Sequence, residues 1–234
     1  SASRFETDLM TRGRVVARAM VVSSGWLDNA GVAGRSVMVT FVDITKISDL
    51  QRQLEVIQAS ARHLLSLIND LLDLARIESG KATVSIEEVD CAQLLEDVAR
   101  TLQPLAARKQ LSFRLLPLPA GTRIRTDKRA FSQIMINLVG NAIKFTESGG
   151  VTVSVEGHTA DGHSWLAVAV ADTGCGIAIE DQAKLFAAFT QLDASSTRKH
   201  EGSGLGLHLS QKLAEMIGGR IEYTSKVGIG SVFR

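Results

Sequence analysis

Cysteine is nearly missing from this chain: Cys91 and Cys175 are the only two in 234 residues. They lie far apart with no CxxC spacing, which excludes a disulfide framework and a thiolate zinc site and fits a reducing, cytoplasmic compartment. Aromatic residues make up only 5%, too few for a base-stacking platform. Neither charge sign is in excess: 26 Lys and Arg face 25 Asp and Glu, for a net +1. No general field therefore draws the chain to nucleic acid or an anionic membrane, and direct nucleic-acid binding is not expected. No apolar run approaches the roughly 20 residues that span a bilayer. No basic-then-apolar leader opens the chain, so any membrane anchor is expected outside this segment. What is present is the composition of a globular protein of one to two domains.

Residues 1–45 read as about three strands. "RVVARAMVVSSGWL" and "RSVMVTFVDIT" are rich in β-branched residues, and "DNAG" between them is a turn signal. Residues 46–79 read as a helix. Ile47, Leu50, Leu54, Ile57, Ala61, Leu64, Ile68, Leu71 and Ala75 recur at alternating steps of three and four, the seam of a coiled coil or helix bundle. Leu65, Leu67, Leu72 and Leu74 widen the stripe, which predicts a bundle made by dimerisation, and Gly80 supplies the stop. From residue 82 the elements mix. "TVSIEEVD", "LSFRLLPL", "TRIRTD", "GVTVSVEGH", "SWLAVAVADTG", "RIEYTSK" and "SVFR" read as strands. "CAQLLEDVARTLQPLAARKQ", "KRAFSQIMINLVGNAIKFTES", "IEDQAKLFAAFTQL" and "GLGLHLSQKLAEMIGG" read as helices. Without strict βαβ alternation, the expectation is α+β, a helical layer on one mixed sheet.

Three stretches carry residues suited to chemistry. In "NLVGNAIK", Asn137, Asn141 and Lys144 fall on one helix face. Two amides and an ammonium suit a metal-phosphate ligand, although a solvated polar face has the same pattern. In "VADTGCGI", an apolar strand ends in Asp172, with Gly174 and Gly176 beside it. A carboxylate there can accept from an exocyclic amine while the backbone approaches closely; a plain Asp-Thr-Gly turn reads identically. In "GSGLGLHLS", Gly202, Gly204 and Gly206 open a helix whose bare amides suit phosphate. It is neither G-x-G-x-x-G nor a P-loop, and a flexible loop is the plain alternative. "KVGIGS" adds a late glycine turn at Gly228 and Gly230.

In this order and spacing, residues 82–234 resemble the ATP-binding domain of sensor histidine kinases. "NLVGNAIKFTESGG" is similar to that family's N box, "DTGCGI" to its first glycine box, "LFAAFTQLD" to its phenylalanine box, and "STRKHEGSGLGLHLS" to its lid and second glycine box. The resemblance implies a two-layer α/β sandwich shared with gyrase-type ATPases, binding ATP and Mg²⁺. By position, Asn141 would hold Mg²⁺ with Asn137 beside it, and Lys144 would touch phosphate. Asp172 would read the adenine amine over Gly174 and Gly176. Gly202, Ser203, Gly204, Leu205 and Gly206 would form the lid hinge over the phosphates; Ser203 stands where the family usually has threonine. Phe186 and Phe189 resemble lid supports, or ordinary core. Arg198 and Lys199 fall in the lid, where a cation could stabilise the leaving phosphate, or form a solvated pair.

"HLLSLINDLLDLARIESGK" resembles the second helix of the family's dimerisation and phosphotransfer hairpin, and residues 12–45 resemble the last strands of a PAS sensory domain. The implied layout is 1–45 partial PAS-like antiparallel sheet, 46–81 coiled linker and dimerising helix, and 82–234 catalytic domain. The first hairpin helix, with its phosphoacceptor histidine in an H-E/D-x-x-T/N-P context, is not found. The prolines, Pro104, Pro117 and Pro119, follow no histidine suitably, and His200-Glu201 falls in the lid. His63, His158, His163 and His208 match no better. Omission from a longer chain, deletion, or a natural acceptor-less relative all remain open. The implied function is a two-component kinase passing the γ-phosphate of Mg-ATP to a histidine and then to a response-regulator aspartate. The implied assembly is a homodimer through 46–79. The alternative is an acceptor-less nucleotide-binding dimeric scaffold.

Overall fold

The computed structural model describes residues 3–11, 14–28, 35–43, 45–119, 121–160, 163–190 and 204–234. The chain forms two compact units, Ser1–Ser66 and Leu67–Arg234. In the first, β1 (Ser3–Thr11), β2 (Arg14–Asp28) and β3 (Arg35–Asp43) make an antiparallel meander with β2 in the middle. The expected "DNAG" turn begins at the last residue of β2; Asn29, Ala30 and Gly31 lie outside the described residues.

α1 (Thr45–Glu78) is one uninterrupted helix that starts in the first unit and ends in the second. Its predicted seam is in the open: Ile47, Leu50, Leu54, Ile57, Leu64, Ile68 and Leu71 are 46% to 62% exposed. Leu74, in contrast, is buried. Backbone bonds from Lys81 and Ala82 to the Arg76 carbonyl close the helix at Gly80, whose φ is +67°.

In the second unit, β4 (Glu87–Asp90) leads into α2 (Cys91–Arg108), and β5 (Ser112–Leu115) follows. β6 (Arg123–Thr126) leads into α3 (Lys128–Phe145). β7 (Gly150–Ala160) and β8 (His163–Asp172) form a hairpin, and α4 (Ile179–Gln182) is a single turn. α5 (Gly206–Met216), β9 (Tyr223–Lys226) and β10 (Gly230–Phe233) close the chain. Asp90 and Asp127 cap α2 and α3, their carboxylates accepting from Gln93 N and from Arg129 and Ala130 N. The sheet order is β5-β7-β8-β10-β9, with β5 parallel to β7 and the remaining pairs antiparallel. α2, α3 and α5 cover one face, and Leu95, Val139, Ile143, Val151 and Val170 fill the space between the layers. This is the expected α+β two-layer sandwich.

Two expectations change. β4 and β6 stand apart from the main sheet and pair with each other. Both are four residues long and carry Glu87, Glu88, Arg123 and Arg125; Glu88 and Arg123 pair at 3.5 Å. Their four charged side chains are exposed, while Ile124 packs against the core. The second change is in "IEDQAKLFAAFTQL", where helix extends only over Ile179–Gln182 and turns follow. Ile179 is 85% exposed and Phe189 takes φ +60°, so the apolar spacing does not describe one buried helical stripe.

Candidate functional site

The helical face read from the sequence divides its labour. Asn137 Nδ2 donates to the Gly206 carbonyl at 3.2 Å and to Ser210 Oγ at 3.1 Å. That amide ties α3 to the first turn of α5, inside the glycine-rich stretch. The Asn141 side chain, one turn on, makes no hydrogen bond among the described residues. Its amide oxygen is open to a ligand. Lys144 is half-buried, with Nζ 4.8 Å from the Phe145 ring centroid. Burial, followed by repulsion from Lys109, holds its ammonium below the ordinary lysine pKa. Replacing Asn137 by alanine removes both bonds to α5 and leaves the buried Ser210 hydroxyl short of a donor. The expected cost is about 2 kcal/mol in urea unfolding; an unchanged midpoint would mean that α5 is held by its apolar contacts alone.

Asp172 ends β8. Its Oδ1 accepts from Gly174 N at 2.8 Å and from Ser231 N at 3.3 Å. Oδ2 has no partner among the described residues. Burial pushes the carboxyl above its ordinary pKa, against the opposing pull of those two amides. The loop after Asp172 is clasped on two sides. Cys175 N reaches the Phe145 carbonyl at the end of α3, at 3.4 Å. On the other side, Gly228 N donates to the Cys175 carbonyl at 2.8 Å, and Ile177 N to Ser225 Oγ at 2.8 Å. Gly176 has φ +70°, and a Cβ there would fall on the Lys226 carbonyl oxygen, so this close approach requires glycine.

Gly204 sits against the Phe189–Thr190 backbone, and Leu205 is 4% exposed, anchoring α5 by packing inward. Phe189 is 66% exposed, so it is not core. Phe186 is partly buried: its ring lies 5.9 Å from Tyr223, and its carbonyl accepts from His208 Nδ1 at 2.8 Å. Arg198, Lys199, Gly202 and Ser203 lie outside the described residues.

The structure therefore brings Asn137 to Gly206 directly, and joins the end of α3 to the Asp172–Gly176 loop through Phe145 and Cys175. The sequence reading missed Ser231, which helps hold Asp172, and Lys109, which contacts the end of α3. Gly230 was read only as a turn; it also brings β10 against the Asp172 carbonyl. None of these has a local signature, because the partners are 34 to 59 residues apart in sequence. Among the described residues no group of His, Cys, Asp and Glu could hold a metal ion. A cation near Asn141 would need most of its oxygens from a ligand, and a phosphorylated ligand supplies them.

Residues 126–234 match the family model described as histidine kinase-, DNA gyrase B- and HSP90-like ATPase. Residues 36–80 match the His Kinase A (phospho-acceptor) domain. The circadian input-output histidine kinase CikA of Synechococcus elongatus is 42% identical over 192 residues, covering 78% of this chain and 24% of that protein. The signal transduction histidine-protein kinase BarA of Escherichia coli is 38% identical over 192 residues, covering 81% and 21%. Full-length ShkA, solved in complex with AMPPNP, superposes with a TM-score of 0.65 at 35% identity, over 78% of this chain and 37% of that one. The Acinetobacter baumannii histidine kinase AdeS gives 0.57 at 25% identity, over 80% of each chain. The chain spans less than a quarter of the length of these curated relatives. The order of the two matched models along the chain and the identity to these kinases agree with the site's geometry: the chain belongs to the sensor histidine kinase family.

Proposed function

We propose that this chain is the nucleotide-binding and dimerising part of a two-component sensor kinase. It would bind Mg-ATP for transfer of the γ-phosphate to a histidine, and from there to the aspartate of a response regulator. The observation that carries this reading is Asp172. Its Oδ1 is fixed by the Gly174 and Ser231 amides, which leaves Oδ2 as an aimed acceptor in a half-buried loop. An adenine exocyclic amine is the donor that fits a free carboxylate oxygen beside close-packed glycine backbone. The ShkA complex with AMPPNP supports the same ligand class.

In this reading the polyphosphate extends from the adenine toward α3, where Asn141 and Lys144 share a face. Asn141 Oδ1 is the protein oxygen available to a divalent ion, which when bound would neutralise phosphate charge. Lys144 adds a cation, and Asn137 holds the α5 N-terminus and its amides against α3. Arg198 and Lys199 would approach the γ-phosphate, with Gly202, Ser203, Gly204, Leu205 and Gly206 as the hinge and Phe189 beside it. In the transfer, a histidine nitrogen bonds to the γ-phosphorus as the bond to the ADP oxygen breaks. The protein's contribution is positioning and charge neutralisation.

The proposed layout is 1–45 as PAS-like strands, 46–81 as linker and dimerising helix, and 82–234 as catalytic domain. Among the described residues no helix is long and apolar enough to cross a membrane; a cytoplasmic location is proposed from this and the free thiols. Dimerisation is proposed through the open seam of α1. Changing Ile68 and Leu71 together to lysine should turn a dimer into a folded monomer in sedimentation equilibrium, because both side chains are about half exposed within one chain. A dimer that survives the pair would place the interface elsewhere.

The test of the whole reading uses γ-labelled ATP. The chain is expected to bind Mg-ATP in calorimetry and to incorporate no acid-labile phosphate. His63 is the one histidine in the segment matched as phosphoacceptor domain, and it is followed by two leucines rather than an acidic residue. Acid-labile label on His63 would overturn the acceptor-less part, and absence of nucleotide binding would overturn the rest. The scaffold alternative is favoured by one observation, the unbroken run of α1 through the segment matched as phosphoacceptor domain. Binding without transfer to the acceptor histidine of a supplied kinase would select it.

A further inference from the structure

Lys109 lies in none of the nucleotide motifs. It is the C-cap residue of α2, and its own amide closes that helix on Ala106 and Ala107. Its side chain crosses to the end of another helix. Nζ donates to the carbonyls of Ile143 at 2.9 Å, Lys144 at 2.6 Å and Thr146 at 3.2 Å. An ammonium has three N–H donors, and all three are used.

The last carbonyls of a helix have no intrahelical partner. At the end of α3 each of five consecutive carbonyls is nonetheless answered. Ala142 accepts from Thr146 Oγ1 at 2.6 Å, and Phe145 accepts from Cys175 N at 3.4 Å. Lys109 answers Ile143, Lys144 and Thr146. No glycine closes this end: the cap is Thr146, in extended conformation at φ −97° and ψ 122°. Lys109 thus does the work of a Schellman turn from 34 residues away, and sets a full positive charge on the negative end of the α3 dipole. The turn it holds bears Lys144 and the Phe145 carbonyl that pins the loop after Asp172.

We propose that Lys109 is a positioning residue for nucleotide binding. Its three-carbonyl clamp fixes the α3 terminus so that Lys144 and the Asp172–Gly176 loop face one ligand together. This rests on the nucleotide reading above. The clamp also brings a second ammonium near Lys144, which only a residue fully engaged by carbonyls makes tolerable.

The test compares Lys109→Met with Val98→Ala. Val98 is a core residue of α2 away from the clamp, and its truncation destabilises the same helix. Two readouts are taken on the whole chain: amide exchange at Cys175, and affinity for ATP against adenosine. Lys109→Met is expected to speed Cys175 exchange well beyond Val98→Ala. It should weaken ATP about tenfold, and adenosine less, since Lys144 answers to the phosphates. Equal exchange and equal affinities in the two variants would overturn the proposal. If Lys109→Met does not fold, Lys109→Arg takes its place. A planar guanidinium cannot meet three converging carbonyls, so partial losses in both readouts are expected and wild-type behaviour in both overturns the clamp. If the wild-type chain binds no nucleotide, the functional reading fails, while the exchange comparison still decides whether Lys109 holds the Cys175 contact.

Discussion

Asp172→Ala is expected to weaken adenine-nucleotide binding by at least ~100-fold while leaving the domain folded. The carboxylate is pinned through Oδ1 by the Gly174 and Ser231 amides, so Oδ2 is presented in one direction. A preorganised acceptor of this kind discriminates strongly, because the wrong base leaves a half-buried charge facing another acceptor. Guanine, with a carbonyl where adenine has an amine, should bind poorly to the wild type and no worse to Asp172→Ala. Stability should respond less than binding. Burial raises this carboxyl's folded pKa above its unfolded value. A carboxyl so raised favours the fold when protonated; that contribution is full below the unfolded pKa and is lost as pH rises through the folded pKa. At neutral pH, removing the charge therefore offsets part of the lost bonds to Gly174 and Ser231. The same shift sets a pH signature. Nucleotide affinity in the wild type should fall on acidification from above the ordinary carboxylate range, and that fall should vanish in Asp172→Ala. Calorimetric titration with ATP across pH checks both parts, and an unchanged affinity in the variant would remove adenine from the Asp172 assignment.

What could be read from the sequence was whatever repeats at a helical or strand period. The one-face spacing of Asn137, Asn141 and Lys144 holds because α3 is an uninterrupted helix from Lys128 to Phe145. The position of Asp172 at a strand end holds because β8 stops there, in register with Val151. The α1 seam is legible for the same reason, and its exposure follows from an apolar stripe with no complement among the described residues. The helix expected through "IEDQAKLFAAFTQL" fails where tertiary bonds overrule local pattern. Gln182 Nε2 reaches the Ile177 and Ser225 carbonyls, and Tyr223 Oη donates to the Gln182 carbonyl. His208 holds the Phe186 carbonyl. Apart from the local bond to Ile177, these come from β9 and α5, and no short window along the chain contains them. Asn137 shows a subtler limit. Its type and face suit a ligand contact, yet its amide donates to α5, a use visible only once Gly206 and Ser210 are in place. The charged β4 and β6 likewise have the alternation of ordinary strands, which does not show that they pair with each other apart from the main sheet.

Gly230→Ala is expected to cost about 3–5 kcal/mol, the sum of a glycine-only backbone conformation and an overpacked contact. Gly230 has φ +127°, and a Cβ there would fall on the Asp172 carbonyl oxygen, 2.9 Å from its carbon and 3.0 Å from Thr173 Cα. All three are backbone atoms at the end of β8 and the residue after it, so no flexible side chain can yield. Relief requires β10 to move from β8. That would break the pairing of Val232 with Ala171 and of Phe233 with Val170, and expose Phe233, now 8% exposed. It would also withdraw Ser231 N from Asp172 Oδ1. Gly228→Ala is the comparison. It has φ +77° and open space around the missing Cβ, so it should cost only about 1 kcal/mol, the price of the left-handed backbone alone. Against a domain stability of about 5–15 kcal/mol, the first substitution leaves a marginal fold and the second an ordinary one. Urea unfolding compares the two variants. A gap of about 2 kcal/mol or more shows that the φ +127° backbone and the close approach of β10 to Asp172 together cost more than a left-handed position in open space. Equal midpoints would show that β10 can shift freely, and then the Ser231 amide could not be what orients the Asp172 carboxylate.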